Sequence, residues 1–275
     1  MNTKKYTALI RTQNSHPIVV DVVAALRAQT HPPETILAVD SASSPEQKLK
    51  LNSIVDKIID YPNEPFNYSK AINIGVQACL SEYVLIISSH VVIQDIHMIQ
   101  NGLELIQNES QNCLGFCLIP TPTPEKTWQT LKVNNKNFSP LIGLSNSCAF
   151  LQVQPIINRP FREDVFSAED QEWAAYYLRN QNSYFFSITS HHLKYSNPHT
   201  LNKHTYDLKK MNEIISMAYF THPQLRSPKM IISRLLRSIL AFIRNRPDRA
   251  KLHLTLAKEL FLAHFRKPVR KSSYY

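Results

Sequence analysis

The clearest structural pattern in this chain of 275 residues lies at Phe66–Asp95, which reads FNYSKAINIGVQACLSEYVLIISSHVVIQD. A polar loop leads into a segment of helical periodicity, and the apolar run Tyr83–Ile87 that follows predicts a buried strand. That run ends abruptly in Ser88, Ser89 and His90. Ligands of open α/β sheets bind just beyond the carboxyl ends of the strands, so we expect these polar side chains to face a ligand.

Toward the N-terminus, short apolar runs alternate with segments of helical character. Thr7–Ile10 and Thr35–Val39 are predicted strands, and Pro17–Gln29 between them repeats its apolar residues at helical spacing. Pro45 is expected to open a second helix, since the first turn of a helix tolerates the missing N–H of proline. This alternation predicts an α/β fold with a parallel sheet and right-handed crossovers.

Further elements are predicted downstream of these strands. Ser69 is the expected N-cap of a helix that runs to Leu80. Thr121–Phe138 is rich in proline and asparagine and is expected to be an irregular surface excursion. Later strands are predicted at Cys113–Ile119 and Tyr184–Ile188, and later helices at Ile99–Ile106 and from Ser167 to about Leu178.

Positive charge is concentrated at the C-terminal end of the chain. Residues 226–275 contain thirteen Lys and Arg against Asp248 and Glu259, a net charge of +11, whereas residues 1–225 have a net charge of −1. Apolar residues recur at helical spacing from Lys229 onward. We therefore predict a near-neutral domain at 1–225 and a basic amphipathic helical extension at 226–275.

Three interpretations of the basic extension are open. An amphipathic basic helix fits the anionic inner surface of a membrane. A pair of helices can also pack on the body of the protein or on a second copy of the chain. Nucleic-acid binding is the weakest of the three, because the body is near neutral and the extension does not interleave basic residues with aromatic ones. We expect an anionic membrane surface as partner and no nucleic acid.

The scarcity of glycine limits the kind of nucleotide site that this chain can form. It has four glycines, and neither G-x-G-x-x-G nor G-x-x-x-x-G-K-[ST] occurs. This disfavours dinucleotide-dependent dehydrogenases and P-loop NTPases. A nucleotide bound by this chain would be held by side chains.

The sequence also carries expectations about the cellular compartment. No apolar run approaches the roughly 18 residues of a membrane-spanning helix, and the polar start Met1–Tyr6 does not resemble a signal peptide. Three of the four cysteines lie in apolar contexts, which is typical of reduced core thiols. We expect a cytoplasmic protein that is peripheral on the inner face of the membrane.

Polar residues follow the first two predicted strands. Arg11, Thr12 and Asn14 follow the first strand, and Asp40 and Ser43 follow the second. An aspartate there can accept hydrogen bonds from a ribose or a base, and arginine offers a phosphate five fixed donors. Such residues also cap loops after many strands. Neighbouring parallel strands would bring the two groups side by side, which favours a nucleotide site.

Several motifs together resemble those of family 2 glycosyltransferases. The order is R-T-Q-N at 11–14, Q-T at 29–30, D-S-A-S at 40–43, F-N-Y-S-K-A-I-N-I-G at 66–75, N-S-C-A-F at 146–150, P-F-R-E at 160–163 and A-E-D-Q-E-W-A at 168–174. The last three are similar to acceptor-side motifs of rhamnosyltransferase-like members. The resemblance covers roughly residues 6–200 and implies the GT-A fold, a Rossmann-like, mostly parallel sheet flanked by helices.

The resemblance implies which side chains hold a nucleotide-sugar donor. These are Arg11, Thr12, Asn14, Asp40 and Ser43, with Lys70 and Asn73 placing the base, ribose or diphosphate.

The resemblance also implies a catalytic carboxylate. Asp170, beside Glu169, would be the general base that deprotonates an acceptor hydroxyl, so that direct displacement inverts the anomeric carbon. The same pair can simply cap a helix. Asn146 and Trp173 would lie on the acceptor side, although Trp173 fits a core position as well. The implied acceptor is a glycan or lipid-linked glycan in surface polysaccharide synthesis.

The sequence departs from the family pattern at two places. An aspartate that reaches the divalent metal usually ends the central strand, whereas this chain has His90. An imidazole can bind Mn²⁺ or donate a hydrogen bond to a diphosphate, while Mg²⁺ prefers oxygen ligands. The late H-x-H-like pair is replaced by Tyr195-Ser196-Asn197. The nearby histidines that could substitute are His191, His192 and His199.

Two other functions compete with catalysis by a transferase. A degenerate relative could bind a nucleotide-sugar or glycan without turnover, and His90 is the residue that keeps this alternative open. A nucleotidyltransferase would need a glycine-rich and basic first loop, which residues 11–20 do not supply.

Overall fold

The computed structural model describes residues 4–121, 129–190, 192–195 and 203–270, with the side chains of 203–207 excluded. Its strands are β1 (Tyr6–Thr12), β2 (Thr35–Asp40), β3 (Lys57–Asp60), β4 (Tyr83–Ser88), β5 (Val91–Ile93), β6 (Cys113–Pro120), β7 (Gln129–Val133), β8 (Cys148–Gln152), β9 (Tyr184–Ser190) and β10 (Leu193–Tyr195). Its helices are α1 (Ile18–Arg27), α2 (Pro45–Asn52), α3 (Tyr68–Gln77), α4 (Met98–Ile106), α5 (Val153–Asn158), α6 (Glu169–Asn180), α7 (Lys203–Phe220), α8 (Pro228–Ile243) and α9 (Pro247–Leu262).

Eight of these strands form one mixed sheet in the order β3-β2-β1-β4-β8-β6-β9-β7. The half formed by β3, β2, β1 and β4 is parallel throughout. In the other half, β8 runs antiparallel between β4 and β6, β9 is parallel to β6, and β7 is an antiparallel edge. The predicted α/β fold with a mostly parallel sheet is therefore confirmed.

The central strand β4 has apolar residues on both faces because helices cover both faces of the sheet. Leu85 and Ile87 join the core cluster that includes residues of α1 and α4, whereas Val84 and Ile86 join the cluster that includes residues of α3 and α6. A Cβ at Gly75 of α3 would lie 2.3 Å from Cδ1 of Leu9. Glycine therefore lets α3 pack closely on β1.

Two predictions of local structure were wrong. The N-cap of α3 is Asn67, whose Oδ1 accepts a hydrogen bond from the backbone N of Lys70 at 3.1 Å. The hydroxyl of Ser69 instead donates to the carbonyl of Arg162 at 2.8 Å. The segment expected to be irregular contains β7, an edge strand that lies mostly in solvent and so lacks the apolar alternation of a half-buried strand.

The two C-terminal helices, α8 and α9, were predicted. They form a pair, and α9 also packs on α7. Leu256 and Leu260 of α9 share an apolar cluster with Met211 and Ile215 of α7. The helix α7 itself was not predicted. In the described part of the chain, no helix has the length and hydropathy that crossing a bilayer requires. The division of the chain near residue 225 stays a prediction.

Candidate active site

The carboxyl ends of β1, β2 and β4 bring the predicted site residues together. In the parallel pairings, Arg11 lies beside Ser88 and Thr12 lies beside Asp40. The polar groups at the carboxyl ends of the three strands therefore lie side by side at one end of the sheet, as the sequence predicted.

The loops after β1 and β2 are joined by hydrogen bonds. Asn14 has a φ of 46°, its backbone N donates to Ser43 Oγ at 2.7 Å, and its Oδ1 accepts from Ser44 N at 2.9 Å. Asparagine tolerates this left-handed conformation better than most residues. The buried carboxylate of Asp40 accepts from both the backbone N and the hydroxyl of Ser43. The loops thus form one continuous surface, and nucleotide binding by these residues stays a prediction.

Hydroxyl groups connect the tips of β1 and β4. Thr12 Oγ1 and Ser15 Oγ are 2.6 Å apart, and the Ser15 hydroxyl donates to Ser89 Oγ at 2.8 Å. Because Thr12 is buried, this hydrogen-bond network joins the ends of β1 and β4 beneath the surface of the site.

Arg11, near the end of β1, contacts the end of β4, the start of α3 and the segment before β8. Its Nη2 donates to the carbonyl of Asn146 at 2.9 Å and to Ser88 Oγ at 3.2 Å. The guanidinium lies over the ring of Tyr68, 5.3 Å from its centroid. Among the described residues, no carboxylate lies within ion-pair distance of Arg11, and its buried Nε has no hydrogen-bond partner.

Two carboxylates begin α6, as predicted. Asp170 is half-buried; its Oδ2 accepts from the backbone N of Asn146 at 3.0 Å and its Oδ1 from the backbone N of Gln171 at 2.7 Å. Burial, and then the adjacent Glu169, raise the pKa of Asp170. Burial also raises the pKa of Glu169, which the cation Arg11 opposes. A half-buried carboxylate with a raised pKa suits a general base near neutral pH.

Asn146 links the carboxylate of Asp170 to the guanidinium of Arg11. Its backbone N donates to Asp170 and its carbonyl accepts from Arg11. The residue is only 2% exposed, yet neither atom of its side-chain amide has a hydrogen-bond partner in the described structure. A buried unpaired amide is costly, so a ligand that binds it would relieve that cost.

His90 follows β4 and its ring lies 6.1 Å from the ring of Tyr195 on β10. Burial, and then the cations Lys209 and Arg11, lower the pKa of His90 to about 4, so the imidazole is neutral at pH 7. Among the residues with described side chains, no three His, Cys, Asp or Glu are grouped to hold a metal ion. The described residues around His90 therefore do not by themselves complete the metal site that the resemblance implies.

The late loop lies only partly within the described structure. His191, Ser196, Asn197 and His199 are outside the described residues, so the predictions for them have no structural counterpart. Tyr195 belongs to β10, which pairs with β5 directly after His90.

Three predicted site residues have structural partners. Asn73 donates to and accepts from the backbone of Phe161, at 2.9 Å in both bonds. Lys70 forms an ion pair with Glu64 at 2.6 Å. Trp173 is fully buried, stacks on Phe161 and donates its Nε1–H to a backbone carbonyl. Trp173 is therefore a core residue and cannot be the predicted acceptor platform, whereas donor contacts by Lys70 and Asn73 stay predictions.

The contacts of α3 explain why two distant motifs occur together. The side chains of Asn67, Ser69 and Asn73 all bind backbone atoms of residues 161–163. Helix α3 thus holds residues 161–163, which lead to α6, in place. Asn73 of the 66–75 motif, which the sequence resemblance assigned to donor binding, therefore has a structural role.

Lys209 lies on α7, a helix that the sequence pattern did not predict, and its side chain is exposed. Its positive charge contributes, after burial, to the lowered pKa of His90.

Comparisons with known proteins bear on the family and the fold of this chain. The sequence profile described as Glycosyl transferase family 2 matches residues 7–162. A search of curated proteins found no match.

Solved structures share the fold at low sequence identity. The mannosyltransferase PcManGT from Pyrobaculum calidifontis, in complex with GDP-Man and Mn²⁺, has a TM-score of 0.63 and 11% identity, covering 97% of this chain and 89% of its own. S. aureus TarS 1-349 has a TM-score of 0.56 and 13% identity, covering 92% and 90%. Glucosyl-3-phosphoglycerate synthase from Mycobacterium tuberculosis, with Mn²⁺, UDP and glucosyl-3-phosphoglycerate, has a TM-score of 0.57 and 9% identity, covering 78% and 79%. The predicted GT-A fold is confirmed.

Proposed function

The chain belongs to glycosyl transferase family 2, and from that premise we propose that it transfers a sugar, with inversion, from a nucleotide-sugar to a glycan or lipid-linked glycan hydroxyl. The observation that carries this proposal is the arrangement around Asn146. One backbone segment holds a carboxylate with a raised pKa on one side and an unpaired guanidinium on the other. Sugar transfer needs a base for the acceptor hydroxyl and a cation for the phosphorylated donor, close to each other.

Asp170 is the proposed general base. Its carboxylate takes the proton of the acceptor hydroxyl while the hydroxyl oxygen forms a bond to the anomeric carbon. The bond between that carbon and the phosphate oxygen breaks, and the electron pair leaves with the nucleoside diphosphate. The hydrogen bonds from Asn146 and Gln171 hold the carboxylate in place, so little reorganisation is needed at the moment of proton transfer.

The donor nucleoside is assigned to the surface formed by the joined loops of β1 and β2. Asn14 and Ser43 lie on this surface, the buried Asp40 accepts hydrogen bonds from Ser43, and the buried Thr12 pairs with Asp40 next to Arg11. The rhamnosyltransferase-like character that the sequence resemblance implies stays a prediction.

The outer face of α8 is the proposed contact with an anionic membrane surface. Large apolar side chains on this helix lie in solvent, with Phe242 74% and Ile243 72% exposed. The exposed cations Lys229 and Arg237 lie on the same helix, and the exposed Arg244 directly follows it. Apolar side chains that enter the acyl boundary, together with basic residues that meet anionic headgroups, are typical of interfacial helices. These features support the proposal that the protein acts on a lipid-linked acceptor at the inner face of the membrane, in surface polysaccharide synthesis.

A donor panel tests the proposed transfer. The full-length protein is incubated with UDP-, GDP- and dTDP-sugars, with and without a lipid-linked glycan extract, and release of nucleoside diphosphate is measured. We expect one donor to be consumed faster with the extract and to yield a product of inverted configuration. A donor that binds without being consumed under any of these conditions would favour the non-catalytic alternative.

A further inference from the structure

The first turn of α6 holds the segment before β8 at two points. The carboxylate of Asp170 accepts a hydrogen bond from the backbone N of Asn146 at 3.0 Å. The next side chain, that of Gln171, donates its Nε2–H to the carbonyl of Leu144 at 2.7 Å. Two adjacent side chains of one helix therefore fix residues 143–146.

Gly143 lets this segment approach the side chain of Gln171 closely. A Cβ at Gly143 would lie 2.0 Å from Oε1 of Gln171 and 2.3 Å from its Nε2. At the other three glycines of the chain, an added Cβ would meet apolar side chains or backbone. Because two atoms cannot approach so closely, a larger residue at position 143 would displace the amide of Gln171 from the carbonyl of Leu144.

The amide of Gln171 has little to contribute to stability. Its Oε1 is buried and has no hydrogen-bond partner in the described structure. A buried polar atom without a partner is costly, and this cost offsets the contribution of the bond to Leu144. The bond therefore acts mainly on the position of residues 143–146.

The position of this segment matters because both proposed reacting groups depend on Asn146. Its backbone N holds the carboxylate of Asp170, and its carbonyl accepts from Nη2 of Arg11 at 2.9 Å. A hydrogen bond to an ionised carboxyl group stabilises the ionised form and lowers its pKa. A displaced segment would weaken that bond and change the spacing between Asp170 and Arg11.

We propose that Gln171 is a positioning residue for the transfer reaction, in which it holds Asn146 in place through the carbonyl of Leu144. Asn146 in turn aligns the carboxylate of Asp170 with the guanidinium of Arg11. This inference rests on the proposed transfer function. Gln171 acts in it through the backbone and does not contact the substrate.

The titration of the Asp170 carboxyl group tests this inference without a substrate. The protein is labelled with ¹³C at its aspartate carboxyl groups, and the signal of Asp170 is identified by its absence from Asp170→Asn. Gln171→Met keeps the length of the side chain but removes the bond to Leu144. The hydrogen bond from Asn146 should weaken, and the midpoint should move to higher pH by about 0.5 or more.

Other titratable groups act on Asp170, and they are the same in the wild type and in the Gln171 variant. Glu169 precedes it on α6, Glu213 lies on α7, and the buried thiol of Cys117 lies on β6. A difference between the two midpoints therefore reports the change at Gln171.

Gln152→Met is the matched control. Gln152 also donates its Nε2–H to a backbone carbonyl, that of Cys113, at 2.8 Å. It pairs with Tyr83 at the start of β4, which is the opposite end of the sheet from the site. This variant should titrate like the wild type, and thermal unfolding of each variant shows whether the fold is kept.

The contact between Gly143 and Gln171 gives a second test. Gly143→Ala should raise the midpoint as Gln171→Met does, because the added methyl group displaces the amide. Once the amide is absent the methyl group has nothing to displace, so Gly143→Ala/Gln171→Ala should match Gln171→Ala. Additive effects of the two substitutions would contradict the proposed contact.

The outcomes separate this inference from the function on which it rests. In the transfer reaction, Gln171→Met should lower kcat about tenfold and move the acidic limb of kcat/KM to higher pH. A midpoint of Asp170 in Gln171→Met that equals that of Gln152→Met would overturn the positioning role and leave the transferase proposal standing. A shifted midpoint in a protein that consumes no donor would support the arrangement around Asn146 and overturn the transfer function.

Discussion

The backbone N–H of Asn146 donates a hydrogen bond to Oδ2 of Asp170 at 3.0 Å, which ties the segment before β8 to the start of α6. The carbonyl of the same residue accepts from Arg11. The spacing between the proposed base and the proposed donor-binding cation is therefore set by one residue.

The side chain of Asn146 is expected to matter for turnover more than for stability. Replacing it with alanine removes a buried amide that has no described partner, so the free energy of unfolding should change little. Transfer should fall about tenfold, the value of one lost hydrogen bond to a ligand. Urea unfolding and kcat/KM measure the two effects.

Asn73→Ala is the matched control for this prediction. The amide of Asn73 binds the backbone of Phe161, so its loss should destabilise the fold by about 1–3 kcal/mol. If Asn146→Ala destabilised the protein as much as Asn73→Ala and left transfer intact, the ligand role of Asn146 would be wrong.

Trp173 is expected to contribute to stability and not to acceptor binding. Its indole is fully buried against Phe161, and Trp173→Ala should cost about 3–5 kcal/mol of unfolding free energy. Trp173→Phe should cost less, and its KM for the acceptor should match the wild type. A raised KM with unchanged stability in Trp173→Phe would restore the acceptor-platform interpretation.

The apolar face of α8 is expected to bind anionic vesicles. The double variant Leu236→Asp/Phe242→Asp should reduce binding to phosphatidylglycerol vesicles by about a hundredfold, since each exposed side chain contributes about 1.5 kcal/mol or more when buried. Leu49→Asp makes the same change on the exposed side of α2 and should bind normally. Co-sedimentation measures binding, and equal binding by both variants would contradict the membrane proposal.

The activity should rise with pH through a limb that lies above the usual aspartate range of about 3.9. The pKa of Asp170 is raised, so its carboxyl group stays protonated, and inactive as a base, at pH values where an ordinary aspartate is ionised. Glu169→Gln removes the neighbouring negative charge and should move the limb of kcat/KM to lower pH. A limb that does not move would show that Glu169 does not act on the base.

The sequence predicted the parts of this site that depend on single strands. The ends of β1, β2 and β4 follow directly from apolar runs that stop at polar residues, and Arg11, Asp40 and His90 lie where those runs end. A run of this kind specifies both a buried strand and its exposed tip, so local pattern is sufficient.

Residues whose roles depend on packing between distant segments were not predictable. Asn73 and Trp173 both contact the segment at 159–161, and nothing local to either residue shows that partner. Lys209 belongs to α7, which buries the polar side chains of Asn212 and Ser216 together with apolar ones. Its periodicity is therefore weak, and the helix was not predicted.

The Asp170→Asn variant tests the central claim most directly, in a comparison of kcat and donor affinity with the wild type. Asparagine keeps the shape of the side chain but cannot accept the proton, so kcat should fall by about 10²–10⁴-fold while nucleoside diphosphate affinity stays nearly unchanged. Asp21→Asn, the same substitution on the exposed side of α1, should leave both values at the wild-type level. An unchanged kcat in Asp170→Asn would contradict the assignment of the base and the proposed mechanism with it.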